Sequence, residues 1–504
     1  MSSVDDTQQR SPENVLHKYG YQQEFRRELK RFASFAIGFS FISITTGIFT
    51  TYGSVLNWGG PRGIWTWPIV AIGQLLVALV FAAFASRIPI AGYSYQWVSR
   101  LANPKIGWLV GWVSFMFLTI VVVSVDYAIS QTVLPSLLNY TETPINAWIV
   151  TAIIVVLQAV LILSSTFWTT RINNTAVGTE VIGIVGLTVL LLIVGALRGL
   201  LQPGHLFSTG IISPANYFTL GGLTAVGPFI FCFLLGAYTI VGFEAAANLA
   251  EETDQAHRVI PVAMWSAVLL SGVVGFLFLI VLDLASGDLK ALSSSATPVA
   301  DIVTQTLGRV VGDIFLVLVT FSIFACGLVI FVTATRLVWA MSRDERFPGY
   351  HLFRRVDART HTPLLATILC GILIEVILAV FATQPNTLTS LFSASSLLPA
   401  IIYLSTVLLY IFTRHKLPKA RAFDLGRFEW PVMILALIWL VFELSIFRDA
   451  SFKTPWLYTL IMFVIGLLYF TYMLVARPHL LKTQPLTEEE RSGTPPEGQP
   501  EISL

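Results

Sequence analysis

Long apolar runs separated by short polar segments fill the chain from about residue 33 to residue 476. A bilayer core about 30 Å thick requires about 20 apolar residues in one helix. By that measure the sequence predicts twelve transmembrane helices, spans 1 to 12, at residues 33–57, 65–85, 106–136, 146–165, 172–197, 222–246, 260–286, 309–340, 363–383, 387–412, 429–447 and 455–476. The predicted fold class is therefore an all-α integral membrane protein.

The segments outside these runs predict little further structure. Residues 1–31 form an expected polar tail without the apolar stretch of a signal peptide, so span 1 should remain in the mature chain. The transporter domain is expected at 32–478. The first 20 residues and the tail at 479–504 lack the apolar content that ordering requires, so we expect them to be disordered. Between spans 7 and 8, helical spacing of apolar residues after Pro298 predicts a short amphipathic helix.

Composition supports a lipid environment. Of the 504 residues, 55% are hydrophobic and 12% are charged, whereas soluble domains carry about 25% charged residues. The net charge of +2 and the lack of a basic tract with interleaved aromatics argue against a nucleic-acid partner. Cys232, Cys326 and Cys370 lie in apolar runs without metal-site or disulfide spacing, so they are interpreted as small core residues. We expect no metal and no cofactor.

The distribution of basic residues predicts the orientation. With the N-terminus inside, 25 of the 31 Lys and Arg residues lie on the cytoplasmic side of the predicted spans. Basic loops stay in the cytoplasm during insertion. The sequence therefore predicts a multi-pass protein of the cell membrane, surrounded by lipid, with both termini in the cytoplasm.

Two predicted spans contain polar residues and glycines at their middle. Residues 43–49 of span 1 read SITTGIF, and residues 236–244 of span 6 read GAYTIVGFE. Unwound helices at matching places in two halves of a chain are typical of transport sites, because they expose main-chain groups to a polar ligand. Close helix packing through small residues is the alternative interpretation, and two such segments five spans apart favour the transport site.

The two breaks suggest which groups bind a solute. A helix that begins in span 1 presents N–H groups and a partial positive charge to a carboxylate, with Ser43, Thr45, Thr46 and Gly47 as the expected contacts. Carbonyl groups exposed in span 6, near Tyr238, Thr239 and Gly242, would favour an ammonium group. Together the breaks predict a site for a zwitterion.

Four segments of the chain match known family motifs. Residues 43–49, SITTGIF, are similar to G-S-G-I-F, with Thr45 and Thr46 replacing the first Gly and the Ser. Residues 89–95, PIAGYSY, are similar to P-x-(S/A)-G-G-x-Y. Residues 242–261 and 335–348 are similar to G-F-(E/D)…(A/S)-E-E-T…A-x-R-x-x-P and to R-x-x-x-A-x-(A/S)-R-D-x-x-x-P. Together these motifs resemble the amino acid–polyamine–organocation superfamily, in particular its amino acid/choline transporter branch, which includes γ-aminobutyrate and choline permeases.

The resemblance covers about residues 30–480 and implies a fold and a cycle. The family fold has a five-plus-five inverted repeat, here expected at 33–197 and 222–412, with two extra helices at 429–476. It implies alternating access around a central site formed by spans 1 and 6 beside spans 3, 8 and 10. Tyr238 stands where some relatives place an aromatic residue that closes over the substrate, so we expect it to be a gate. A packed core tyrosine is the alternative.

Charged residues within membrane helices are costly and usually functional. Six acidic residues fall inside predicted spans: Asp126, Glu180, Glu244, Asp283, Glu375 and Glu443. Glu180 is the expected coupling residue, since relatives hold a coupling sodium ion, or a lysine that mimics one, near this region of span 5. Asp126 is expected to contact the substrate amine. Burial raises the pKa of a carboxyl group, so either residue could exchange a proton near neutral pH, and a fixed counter-ion for a substrate amine is the alternative. Glu244 is expected to stabilise the inner half of span 6, and the other three are expected to have inter-helix or snorkelling roles.

Charged residues also cluster at the predicted cytoplasmic ends of the spans. They form an expected gate of ion pairs, made of Glu251, Glu252, Arg258, Arg336, Arg343 and Asp344. Ordinary inside-positive topology and helix capping are the alternative explanation, because exposed ion pairs contribute only about 0–1 kcal/mol.

Other classes of protein fit less well. Membrane-embedded enzyme chemistry is not expected, since all histidines lie in loops or tails, namely His17, His205, His257, His351, His361, His415 and His479. A sensor without transport would append a sizeable soluble domain. The predicted function is secondary active transport of an amino acid or small amine, with proton coupling and exchange both open. A non-zwitterionic amine such as choline, ethanolamine or a polyamine is the alternative substrate.

Overall fold

The computed structural model describes residues 21, 23–25, 27–138, 140, 141, 143–164, 166–357, 359–381, 387–418, 420 and 422–482. The expected disorder of the first 20 residues, and of most of the tail at 479–504, concerns residues outside these ranges. Below, we call the face of the bundle at which the first membrane helix begins the N-terminal face, and the other the opposite face.

Within the described ranges we label fifteen helices of seven or more residues. They are α1 Arg31–Ile42, α2 Ile44–Trp58, α3 Thr66–Arg87, α4 Tyr93–Leu101, α5 Pro104–Thr132, α6 Pro144–Ser164, α7 Thr166–Leu197, α8 Phe233–Thr239, α9 Ala256–Ala285, α10 Pro298–Leu307, α11 Arg309–Arg343, α12 Leu364–Phe381, α13 Thr387–Thr413, α14 Glu429–Ile446 and α15 Lys453–Ala476. Shorter helices are Leu134–Leu138, Pro228–Phe231, Ala245–Asn248, Leu289–Ser293 and Tyr350–Phe353, and short 3₁₀ turns join several of the elements.

The helices confirm the predicted all-α membrane fold. Among the described residues, eleven segments are long and apolar enough to cross a bilayer, and the shorter apolar helix Pro228–Thr239 lies at the position of the remaining predicted span, span 6. Span 6 begins six residues later than predicted, because residues 222–227 form an irregular segment. Pro228 occupies the first helical position, where its missing N–H costs nothing.

Two connections between spans 6 and 8 also have defined structure. The predicted amphipathic helix is α10, which buries Val299, Ile302 and Val303 and packs against α2 and α11. Helix α9 begins at Ala256, before the predicted start of span 7 at residue 260. Helix starts depend on turn geometry at neighbouring residues, and Gln255 has a left-handed conformation that ends the preceding segment.

The core of the bundle surrounds the first and third crossings. The most apolar stretches of α1–α2 and of α5 are each 89% buried inside the protein, whereas that of α15 is 17% buried. Helix α3 packs along α9, and α5 lies against both α11 and α13. The outward surfaces of α6, α7, α12 and α15 are rich in exposed Leu, Ile and Val side chains, as expected for helices facing lipid. A site enclosed by α2, α5, α8 and α11 is therefore shielded from lipid.

Candidate functional site

The first crossing is interrupted at a single residue, Ser43. Its backbone has φ 36° and ψ 94°, so α1 ends at Ile42 and α2 begins at Ile44. The Ser43 hydroxyl accepts a hydrogen bond from the Thr46 N–H at 3.3 Å and lies 2.6 Å from the Thr46 hydroxyl. The Gly47 N–H donates to the Ser43 carbonyl at 3.0 Å. Ser43 therefore caps the helix that starts after the break.

A carboxylate of the protein itself occupies the start of α2. Glu180 of α7 is 3% exposed, and its Oε1 accepts hydrogen bonds from the Thr45 N–H at 3.0 Å and the Thr45 hydroxyl at 2.7 Å. The Ser43 hydroxyl donates to the same oxygen at 3.1 Å. Helix N-termini bind anions through free N–H groups and the helix dipole. Two of the four predicted substrate-carboxylate contacts, Ser43 and Thr45, therefore bind the predicted coupling residue, Glu180.

A thiol contacts the other side of the same break. The Cys326 Sγ of α11 donates to the Phe41 carbonyl at 3.5 Å, near the end of α1. From the sequence, Cys326 was interpreted as a small core residue, and the position of Cys326 in an apolar run gives no signal of this contact. The break in the first crossing is thus supported from two helices, α7 at its N–H groups and α11 at its carbonyl end.

The second interruption lies after α8 and is longer. Residues 240–244 leave the helix, and the short helix Ala245–Asn248 follows. Gly242 has φ 80°, and a Cβ there would lie 1.8 Å from the Phe41 ring, so no larger residue fits. The Gly242 N–H donates to the Tyr403 hydroxyl at 2.8 Å, and that hydroxyl donates to the Glu244 carboxylate at 2.7 Å. Tyr403 of α13 therefore joins the backbone of this break to the Glu244 carboxylate.

The two breaks meet at the centre of the bundle. A Cβ at Gly47 would lie 1.9 Å from the Thr239 hydroxyl, so the start of α2 touches the end of α8. Between them remains a cavity of about 10 Å³, and even one water needs about 10–15 Å³. Its lining includes Phe41, Thr46, Gly47, Tyr238, Thr239 and Cys326. An amino acid fits only after these helices separate.

Tyr238 stands beside this cavity, at the inner end of α8. Its side chain is 5% exposed, its hydroxyl lies 3.2 Å from the Ser124 hydroxyl, and its ring contacts Phe392 with centroids 4.5 Å apart. The geometry is compatible with the predicted aromatic gate and adds Phe392 of α13 as its partner. Sequence inspection missed Phe392, because an aromatic residue in an apolar helix carries no distinctive signal.

Asp126 does not line the described part of the central cavity, in contrast to the predicted substrate contact. Val121 and Val125 of α5 line it, and each helical residue turns about 100° from the one before. Asp126 therefore faces α6 and α11, where Gln158 Nε2 donates to its Oδ1 at 2.9 Å and Gly327 leaves room for it. In this conformation Asp126 joins helices rather than contacting the cavity.

The remaining acidic residues of the membrane helices also act between helices or at the outer surface. The Tyr52 hydroxyl donates to Asp283 at 2.6 Å, which joins α2 to α9. Gln74 Nε2 donates to both oxygens of Glu443, at 3.2 and 3.1 Å, which joins α3 to α14. Glu375 is partly exposed and borders an apolar groove beside α6. These positions agree with the inter-helix roles expected for Asp283 and Glu443.

Most of the predicted gate residues meet at the N-terminal face. Arg336 Nε lies 2.5 Å from Glu252 Oε1, and Arg343 Nη1 lies 2.8 Å from Glu251 Oε2. All four side chains are at least nine-tenths buried. Buried pairs are costly to separate, unlike exposed ones, because breaking them leaves an uncompensated charge. The cluster therefore holds α11 against the segment that follows the second break.

Two further predicted gate residues behave differently from each other. The Asp344 carboxylate accepts from the Tyr95 hydroxyl at 2.7 Å and from Gln96 Nε2 at 3.0 Å, so it joins α11 to α4. Arg258 is exposed at the start of α9 and makes no ion pair with any described residue. The structure therefore places Arg258 outside the cluster of buried ion pairs, with its side chain exposed.

Comparison with known proteins agrees with this architecture. A protein-family model described as amino acid permease matches residues 29–470. The chain belongs to the amino acid permease family. Members of this family are membrane transporters, which confirms the predictions of a small-molecule substrate and of a protein that is not an enzyme. The superfamily inferred from the four motifs is confirmed as well.

Several curated permeases are similar to this one. Amino-acid permease 2 of Neurospora crassa is 28% identical over 370 residues, which cover 71% of this chain and 67% of that protein. The amino-acid permease BAT1 of Arabidopsis thaliana is 26% identical, with 84% of this chain and 86% of that permease covered. The GABA-specific permease of Saccharomyces cerevisiae is 25% identical over 72% of this chain and 64% of its own length. The chain thus matches about two thirds or more of these relatives.

Proposed function

We propose that this permease carries a zwitterionic amino acid across the cell membrane by alternating access, with both termini in the cytoplasm. The observation that carries the proposal is the carboxylate of Glu180 bound at the start of α2. A helix start that holds one carboxylate through main-chain and hydroxyl donors suits the carboxylate of an amino acid equally well. The names of the similar permeases support the same substrate class.

In the proposed cycle the substrate carboxylate displaces Glu180. The Thr45 N–H, the Thr45 hydroxyl and the Ser43 hydroxyl now donate to Glu180, and the substrate takes over these donors. An ionised carboxyl group without donors is costly inside a membrane, so Glu180 binds a proton as it leaves. One proton is then taken up for each substrate bound, and Glu180 is the coupling residue.

The proposed framework places the two halves of the inverted repeat at 33–197 and 222–412, with α14 and α15 as the extra helices. The N-terminal face is the cytoplasmic face, and its buried ion pairs close the inner gate in this conformation. Tyr238 and Phe392 close the opposite side of the cavity. Each gate opens in turn while the other stays shut.

A second candidate function is transport of an amine without a carboxylate, such as choline, ethanolamine or a polyamine. Glu180 also favours it, since a carboxylate that stayed at the helix start would attract an ammonium group entering the neighbouring cavity. No basic side chain is among the described residues that line that cavity. In this case Glu180 is a fixed counter-ion and proton coupling through it is lost.

Reconstitution into liposomes separates these functions. Uptake of radiolabelled amino acids, γ-aminobutyrate, choline and polyamines is measured with and without an inward proton gradient. The proposal expects saturable amino acid uptake that the gradient accelerates. Uptake of choline or a polyamine alone would support the second candidate, and no uptake of any compound by folded protein would contradict both.

The gate assignment has its own test in the same liposomes. Tyr238→Ala removes the ring that contacts Phe392 and the hydroxyl beside Ser124. We expect a raised KM and a lower uptake rate, because the bound substrate is no longer enclosed. Unchanged affinity and rate would show Tyr238 to be an ordinary packed residue.

A further inference from the structure

The chain segment before α1 lies across the N-terminal face instead of extending away from it. We define the N-terminal strap as the described residues 21, 23–25 and 27–30. The sequence predicts that these residues belong to a polar tail. In the structure Phe25 is 4% exposed and Leu29 is 1% exposed, so the strap is packed against the bundle at several points.

The strap pairs through its main chain with the segment that follows the second helix break. The Leu29 N–H donates to the Glu252 carbonyl at 3.0 Å, and the Asp254 N–H donates to the Leu29 carbonyl at 2.9 Å. Leu29 and Thr253 therefore pair as in a parallel sheet. Gln23 Nε2 donates to the Glu251 carbonyl at 2.8 Å. The residues held in this way include both acidic members of the buried ion pairs.

The aromatic rings of the strap cover the arginines of the same ion pairs. The Phe25 ring centroid lies 4.8 Å from the Arg336 guanidinium and 4.6 Å from the Trp339 ring. The Tyr21 ring centroid lies 3.6 Å from the Arg343 guanidinium. Contacts between a cation and the face of an aromatic ring are strongest where water is excluded. The rings both bind the arginines and keep water from them.

The Tyr21 hydroxyl extends the strap to a third element. It donates to Asp344 Oδ1 at 2.7 Å, while Tyr95 of α4 donates to the other oxygen of that carboxylate. Burial, and then the neighbouring charge of Asp344, raise the pKa of Tyr21 above its ordinary value, so the hydroxyl remains a donor. The strap thus connects α11, the end of the second break and the neighbourhood of α4.

We infer that the N-terminal strap is a component of the inner gate, which must detach before this face can open, with Tyr21 and Phe25 controlling how often it does. The inference rests on the proposed alternating access. Opening requires the Arg336–Glu252 and Arg343–Glu251 pairs to separate, and each pair has a strap ring on its arginine and a strap hydrogen bond on its acidic partner's backbone. Release of the strap admits the water that replaces these contacts.

A reversible cross-link tests whether the strap must move. Paired residues on neighbouring extended segments lie about 4.8 Å apart, within the range of about 4.4–6.8 Å that a disulfide spans. The double variant Leu29→Cys, Thr253→Cys is oxidised in proteoliposomes, and uptake of a radiolabelled amino acid mixture is followed. We expect oxidation to slow uptake at least tenfold and reduction to restore it. The single variants are the controls, and full uptake by cross-linked protein would overturn the inference.

A thiol reporter tests the same inference without any substrate. The Ser34 side chain is fully buried, and its hydroxyl lies 3.3 Å from that of Thr253. In a Ser34→Cys background, Tyr21→Ala or Phe25→Ala should raise the rate of maleimide labelling about tenfold, equivalent to about 1.4 kcal/mol. The matched control is Phe32→Ala, since Phe32 is 54% exposed. The three native thiols, all buried, set the background rate.

The two measurements separate the strap from the transport function. Equal rates of maleimide labelling in the Tyr21, Phe25 and Phe32 variants would overturn the role of the strap in the gate, even if uptake is normal. Faster labelling in a protein that takes up no amino acid would support the strap as a latch and reject the proposed substrate class. Size-exclusion profiles identify any variant that is misfolded. If the Tyr21 or Phe25 variant is misfolded, uptake by the cross-linked protein tests the inference instead, because that protein retains the Tyr21 and Phe25 side chains.

Discussion

The two interrupted membrane helices expose similar main-chain groups but satisfy them with different chemistry. In the first, a single residue leaves the helix, and three donors converge on one oxygen of an acidic side chain, Glu180. In the second, residues 240–244 leave the helix, and one phenol hydroxyl, that of Tyr403, both accepts from Gly242 and donates to Glu244.

The difference assigns different tasks to the two breaks. A carboxylate at the start of α2 is chemically equivalent to the carboxylate of an amino acid, so a ligand can replace it without changing the donors. The ammonium group of an amino acid only donates and its carboxylate only accepts, so neither can replace the Tyr403 hydroxyl, which does both. We therefore interpret the first break as the exchangeable part of the site and the second as its fixed part, and four predictions test this contrast.

The largest expected effect is loss of the fold at the second break. Gly242→Ala places a methyl group 1.8 Å from a carbon of the Phe41 ring at φ 80°. The backbone conformation costs about 1–3 kcal/mol and overpacking about 1–3 kcal/mol more. We expect a lower yield of monodisperse protein and a clearly reduced Tm in detergent.

The control for that substitution is Gly186→Ala in α7, where no atom lies within 4 Å of the added Cβ. Alanine is preferred to glycine within helices by about 0.5–1 kcal/mol, so this variant should be as stable as the parent or slightly more so. Equal Tm values for the two variants would refute the close contact between Gly242 and Phe41.

The next largest effect is expected at the first break. Glu180→Gln keeps an acceptor for the three donors but removes the negative charge, which a helix start stabilises by up to about 2 kcal/mol. We expect uptake to fall about tenfold and to lose its dependence on the proton gradient. Full pH dependence in this variant would remove Glu180 from the coupling role.

Glu443→Gln is the matched control, because Glu443 is also a buried carboxyl group hydrogen-bonded by a neighbouring helix. It lies between α3 and α14, away from both breaks. We expect its uptake to respond to the proton gradient as in the parent protein. Loss of the gradient response in both variants would mean that buried charge in general, rather than the site at α2, governs coupling.

Tyr403→Phe tests the fixed part of the site. The ring still contacts Phe81 and Phe243, but the Gly242 N–H and the Glu244 carboxylate lose their shared partner. A buried polar group left unsatisfied costs about 1–3 kcal/mol. We expect a lower maximal uptake rate with KM little changed, because the variant disturbs the second break and leaves the exchangeable donors intact.

Tyr410→Phe provides the comparison on the same helix. Tyr410 also contacts a phenylalanine of α3 edge-on, and its hydroxyl also donates to a glutamate, Glu429, but it lies two turns from the break. We expect nearly normal uptake. If both phenylalanine variants lost the same fraction of the rate, the effect of Tyr403 would not be specific to the second break.

The smallest effect is expected from one hydroxyl of the first break. Thr46→Val removes the contact between the Thr46 and Ser43 hydroxyls at nearly constant shape, a loss of about 0.5–1.5 kcal/mol. We expect KM to rise a few-fold, measured by uptake at increasing substrate concentration. Thr51→Val is the control, since its hydroxyl bonds only to a carbonyl one turn earlier in α2. An unchanged KM for Thr46→Val would exclude this hydroxyl from the site.

Much of the fold could be predicted from the sequence, because the ability of a segment to cross a membrane depends mainly on its own residues. An apolar run of sufficient length predicts a helix without knowledge of its neighbours. The positions of helix ends were harder to predict, since they depend on turns and contacts outside the apolar run. The irregular segment 222–227 and the early start of α9 at Ala256 are both of this kind.

Only part of the candidate site could be predicted from the sequence. Glycines, serines and threonines in the middle of apolar runs located both breaks, because such residues have little reason to face lipid. The residues that contact the two breaks could not be predicted, since Tyr403, Phe392 and Cys326 look like ordinary core residues in their own helices. The predictions for Thr45 and Glu180 were each compatible with the structure, but only folding shows that these residues, 135 positions apart, are joined by two hydrogen bonds.

The cavity of about 10 Å³ between the breaks bears on the electrical insulation of the membrane. A space of this size admits at most one water molecule. Protons and small ions move through proteins along continuous files of water, and an isolated molecule provides no such file. In this closed conformation the space between the two breaks therefore provides no file of water along which protons could cross the bilayer.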